Sequence, residues 1–186
     1  MMTDSAPKPP PASPTLRRRL LHAALFCLPV ACWVAAIALA STNIASQAHT
    51  NIWLWRVVHL FSPGTLDGDS SSSHFGALSW AVRKMAHLAE YAVLGFLSAG
   101  ALKALFPGYV DGNNRRTLGS MALVVIPFGT LVASVDELHQ TTLPSRTGSI
   151  RDVGVDMIGL AAGVLAMWMI RRRRDRKERN AMLPSP

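Results

Sequence analysis

Cysteine is almost missing from this chain: Cys27 and Cys32 are the only two among 186 residues. They lie five apart in one apolar run, where a helix turns them to different faces. They therefore form no disulfide and carry no redox chemistry. Charge is also scarce, with Asp, Glu, Lys and Arg making up 16% of the chain. Several catalytic signatures are missing too. No His pair at i, i+4 brackets a Glu as in zinc proteases, and there is no Gly-rich phosphate loop and no nucleophile elbow. No inverted repeat speaks for a transporter.

What the chain has is apolar sequence, 49% of the total. It gathers into four runs, at residues 20–40, 84–105, 118–135 and 157–170, which with their polar ends are long enough to cross a bilayer. The net charge of +8 is sorted by side: the N-tail, the connection at 103–116 and the C-tail hold 14 of the 19 Lys and Arg. The two opposite connections hold five, and seven of the eleven acids. Basic residues that bracket apolar runs mark the cytoplasmic side of a membrane protein, and they argue against a nucleic-acid partner. The expected fold is therefore all-α: a polytopic membrane protein with a bundle of four transmembrane helices. Both termini are expected in the cytoplasm, with the bundle in the cytoplasmic membrane.

In chain order, residues 1–16 form a Pro/Ser/Ala-rich tail expected to be disordered. Arg17, Arg18 and Arg19 then open the membrane domain, 17–170. The run 20–40 also resembles a signal peptide, ending in Ala38-Leu39-Ala40, but it is too long for one and is expected to be retained. The outer connection, 41–83, contains an amphipathic segment at 51–61 with Trp53 and Trp55, expected as a short interfacial helix. His49, His59 and His74 are scattered there as ordinary surface residues. The basic segment 171–186 closes the chain as a cytoplasmic tail.

The polar groups crowd the outer ends of the second, third and fourth spans. Lys84, His87 and Tyr91 follow one helical stripe at i, i+3, i+7, with Glu90 beside it. Asp136, His139 and Gln140 share a face, next to Glu137. Ser149 is placed to cap the fourth helix, with Asp152 completing a capping-box-like pair. Asp152 and Asp156 then fall on one face. Ionisable groups at membrane depth are costly, so they face one another or a water-filled cavity.

These residues carry a resemblance. Lys84-x-x-His87-x-x-Glu90-Tyr91, Asp136-Glu137-x-His139-Gln140, and Arg146-x-x-x-x-Arg151-Asp152-x-x-x-Asp156-x-x-Gly159-x-x-x-Gly163 are similar to the VanZ-like family of small bacterial membrane proteins. The match spans a core at 83–170, preceded by a first helix typical of the family. The family's namesake is linked to raised resistance to the glycopeptide teicoplanin. The resemblance thus implies a cell-envelope role, and it brings no settled reaction with it.

Three readings of the cluster stand side by side. Ion pairs of Lys84 or Arg146 with Asp136, Glu137 or Asp152 could simply clip the helices in register. Alternatively, Lys84, Arg146 and Arg151 hold the phosphate of an envelope lipid, with Tyr91, Gln140, Asp152 and Asp156 completing a ligand site. His87 or His139 would then pass a proton, oriented by Glu90, Asp136 or Glu137. Third, His87-x-x-Glu90 and Asp136-Glu137-x-His139 offer mixed N/O ligands to a divalent metal, a reading that the nearby cations oppose. The expectation favours the lipid-phosphate site, with membrane lipids as partners and no cofactor. It brings His87 up to the Asp136–His139 face, with Arg146 folding over the opening.

Overall fold

A computed structural model of the chain describes residues 16–42, 56, 73–110, 114–144 and 148–182. They form four long helices: α1 (Leu16–Ala40), α2 (Ser73–Leu105), α3 (Asn114–Thr141) and α4 (Ile150–Met182). A single helical turn, Pro107–Val110, follows α2. Each long helix contains a stretch long and apolar enough to cross a membrane, so the all-α polytopic architecture expected from the sequence is the one observed. The tail at 1–15 lies outside the described residues. So does the segment 51–61 apart from Arg56, which is helical and exposed.

Two helices outrun their apolar cores. α2 starts at Ser73, well before residue 84, where the second apolar run begins. α4 continues beyond Ile170 to Met182, where a merely polar tail was expected. The extension is rich in Arg, Lys and Glu, all good helix formers. Its sequence sets Arg171 and Asp175, Arg174 and Glu178, and Asp175 and Arg179 at i, i+4 spacing, where opposite charges favour helix by a few tenths of a kcal/mol.

The helices pack as an up-and-down bundle, and α2 against α4 is its most extensive pair. Glycine makes that contact possible. A Cβ at Gly159 would run into the Leu88 carbonyl oxygen, one at Gly163 into the Ala92 carbonyl, and one at Gly95 into the Leu160 carbonyl. The two backbones therefore touch, which is how membrane helices gain close packing when lipid is as apolar as their own side chains. On α3, Gly129 leaves room for the Leu160 side chain. Leu160 is fully buried in a cluster with Ile37, Tyr91, Leu94 and Ala133. A second cluster, Ala99, Val110, Met121, Val125 and Val164, fills the opposite end of the bundle.

α1 is the least embedded helix. It docks through its C-terminal half, where Ile37 enters the first cluster and the Trp33 indole Nε1–H donates to the Glu90 carbonyl at 2.8 Å. Toward its other end Leu21, Leu25 and Leu28 are exposed. Cys27 and Cys32 are free thiols on its exposed surface. An apolar groove of about 600 Å³ opens between α1, α2 and α3, with Val34, Leu102, Val124 and Phe128 among its walls. None of its lining residues is acidic, basic or a histidine, so the chemistry lies elsewhere.

Candidate functional site

The polar cluster sits where the C-terminal ends of α1 and α3 meet the N-terminal halves of α2 and α4. Its frame is a pair of rungs between α2 and α4, one turn apart. Lys84 forms an ion pair with Asp152. One turn deeper, His87 Nδ1 lies 3.3 Å from Asp156 Oδ1. The glycine seam begins one turn deeper again, with Gly159 against Leu88. The backbone contact there sets the α2–α4 separation that both rungs span.

α3 closes the site from the side. Asp136, Glu137 and Gln140 are all buried, at 7%, 5% and 3% exposure. Gln140 Nε2 donates to Asp136 Oδ2 at 3.0 Å and comes within 3.5 Å of Ser41 Oγ at the end of α1. Glu137 Oε2 accepts the Ser149 backbone N–H at 2.7 Å, which ties α3 to the start of α4. Gly148 makes that approach possible, since a Cβ there would strike the Glu137 carbonyl and the Thr141 methyl.

Two local expectations change. Asp136, His139 and Gln140 do not share the inner face: His139 points outward, and Glu137 takes the inner position. Residues at i, i+1 and i+4 lie on one side of a helix as readily as those at i, i+3 and i+4. The cap of α4 also differs. Ser149 Oγ accepts the Arg151 N–H at 3.2 Å, but the Ser149 N–H is met by Glu137 rather than by Asp152. Asp152 is instead committed to Lys84. An Asp side chain is one methylene shorter than the Glu that usually closes such a box.

Several polar atoms are buried without a partner among the described residues. Glu137 Oε1, both carboxylate oxygens of Asp156 and the Tyr91 hydroxyl make no hydrogen bond. The His87–Asp156 contact is close enough for an ion pair but not aligned as a hydrogen bond. Asp156 and Tyr91 are both at 0% exposure. Native proteins rarely leave such groups unmet, because each costs about 1–3 kcal/mol, and charged groups cost more. His87, Glu137 and Asp156 each bring one nitrogen or oxygen to a common point, all within 4.8 Å of one another.

Residues 26–171 match the family model VanZ/LLP1. The chain belongs to the VanZ/LLP1 family. No curated protein and no solved structure matches it. The family region takes in α1 from residue 26 onward and every residue of the cluster. This VanZ-family chain is thus a multi-pass membrane protein whose titratable groups converge at one end of the bundle.

Not every candidate converges. Lys84, His87, Asp136, Glu137, Gln140, Asp152 and Asp156 line the junction of α2, α3 and α4, and Tyr91 lies one turn below His87. Glu90 is half-buried behind them, with its backbone carbonyl held by Trp33. His139 and Arg151 are exposed. Arg146 lies outside the described residues. The sequence reasoning missed the share of α1, namely Ser41 and Trp33. Ser41 carried a weak signal, as the first polar residue after an apolar run. Trp33 carried none, being one aromatic inside that run.

Proposed function

We propose that this VanZ-family protein binds the phosphate-bearing headgroup of a cell-envelope lipid at the cluster, on the extracytoplasmic face of the cytoplasmic membrane. The observation that carries this reading is Asp156: a carboxylate at 0% exposure, inside a membrane-crossing helix, beside His87 and without a hydrogen bond to either oxygen from the described residues. A group so costly at that depth is a ligand-facing group rather than a fastener. Lys84–Asp152, which does form a satisfied pair, is the fastener. Arg151 at the rim and Arg146 in the segment joining α3 to α4 supply the fork geometry that suits phosphate. His87, beside Asp156, is the nitrogen base of the site.

The test pairs a binding measurement with a cellular one. Purified protein should carry a phospholipid or lipid-linked phosphate identifiable by mass spectrometry. Asp156→Asn and His87→Gln should lose that lipid and the protein's effect on glycopeptide susceptibility at unchanged membrane abundance. Arg146→Lys keeps the charge but loses the planar fork, and it should weaken retention of the lipid. Wild-type lipid content and susceptibility in all three variants would overturn the reading.

A further inference from the structure

We infer that His87, Glu137 and Asp156 form a binding site for one divalent transition-metal cation. The inference deepens the proposed function and rests on it only for what fills the open coordination positions.

Lys84 is committed to Asp152 and Asp136 accepts from Gln140, so among the described residues Glu137 and Asp156 are left with His87 as the one nitrogen base beside them. Two carboxylates that share one imidazole at this depth are more expensive than a satisfied pair. A phosphate brought to them as they stand would be repelled. A divalent cation removes both difficulties, because it neutralises the acids and presents positive charge to an anionic headgroup.

Geometry agrees. A cation about 2.1 Å from each donor holds tetrahedral donors about 3.4 Å apart. His87 Nδ1 and Asp156 Oδ1 are already at 3.3 Å, and the Glu137 oxygen lies within 4.8 Å of both partners' donor atoms. Closing the set takes a small side-chain rotation. The unpartnered Asp156 oxygens, at 0% exposure, point to a ligand independently of the spacing. Glu137 is anchored with one oxygen to spare, since Oε2 takes the Ser149 N–H while Oε1 remains unpartnered.

One imidazole with two carboxylates suits Zn²⁺ or Mn²⁺ better than the all-oxygen ions Mg²⁺ and Ca²⁺. Three protein ligands leave at least one position open for water or a phosphate oxygen. Among the described residues, the cations expected to oppose a metal do not reach this set, since Lys84 is paired one turn away and Arg151 is exposed.

The experiment uses the full-length chain in detergent, with any affinity tag removed and metal stripped by chelation. Zn²⁺ and Mn²⁺ are then titrated, and bound metal is read by elemental mass spectrometry and electron paramagnetic resonance. One equivalent per chain is expected, together with a rise in melting temperature. Glu137→Gln and Asp156→Asn should each weaken binding by more than about 100-fold, the upper end for losing even an outer-shell partner. Both should lose the metal-induced rise. Asp152→Asn should keep one equivalent, and size-exclusion profiles report folding in every case. Less than a tenth of an equivalent on folded wild type, with no change in melting temperature, would overturn the inference. So would equal binding by a Glu137→Gln/Asp156→Asn double variant, which would mark an adventitious ion only.

A second arm adds short-chain phosphatidic acid. Metal binding without lipid binding leaves the cation site standing and removes the proposed function. Lipid binding that is indifferent to chelation leaves the proposed function standing and overturns the cation as what holds the headgroup.

Discussion

Lys84 and Trp33 show how differently single side chains hold this bundle. Lys84→Met leaves Asp152 buried with no counter-charge. Breaking a fully buried pair costs about 3–5 kcal/mol. Lys84 is 22% exposed, so a loss nearer ~2 kcal/mol is expected, seen as a lower melting temperature in detergent. Replacing both partners, Lys84→Met with Asp152→Leu, should recover most of that loss, since apolar pairs of similar size are often as stable. Trp33→Phe removes one indole donor from the Glu90 carbonyl and should cost about 1 kcal/mol, with α1 becoming more open to proteolysis. At this scale the sequence was half legible. Helical spacing placed Lys84, His87 and Tyr91 on one stripe of α2 without help. It did not tell Glu137 from His139, because the sets i, i+1, i+4 and i, i+3, i+4 each span ~100° of a 3.6-residue turn and both residues are polar. It was silent on Trp33, whose partner is 57 positions away and is a backbone carbonyl.

Helices α2 and α4 act as one element because their glycines leave no cushion between them. Gly163→Ala would press a methyl into the Ala92 carbonyl and the Phe96 amide, overpacking that should cost about 1–3 kcal/mol and lower the yield of folded protein. Gly154 is the internal control. It lies on the same helix, exposed, with nothing within 4 Å of a built Cβ. Gly154→Ala should therefore stabilise α4 by about 1 kcal/mol, the helix-propensity difference alone. Thermal melts of the two variants should move in opposite directions; equal shifts would remove the seam from the account. The four spans were legible because apolar length is a strong signal. Their ends were not. Ser73 and Met182 lie in polar sequence, where helix persists through local propensity rather than burial.

For the whole molecule, the fold fixes which ends lie together, and charge supplies the orientation. With 14 of the 19 basic residues flanking one side, both termini are expected in the cytoplasm. Reporter fusions after Gly112 and Arg179 should read as cytoplasmic, and those after Thr65 and Leu143 as external. An external signal at Gly112 would invert the arrangement and turn the cluster inward. The glycine seam also decides how the molecule meets bilayers of different thickness. A helix pair with cushioned contacts can answer mismatch by sliding, and a slip of one turn would carry Asp156 about 5.4 Å along the axis from His87. Backbones in contact at Gly95, Gly159 and Gly163 interlock against that slip, so a thin or thick membrane tilts the two helices together. Spin labels on α2 and α4 should report the same separation in short-chain and long-chain lipid. The protein thereby carries its own gauge: the spacing of its buried groups is set by main-chain contact and insulated from the changing width of the membrane around it.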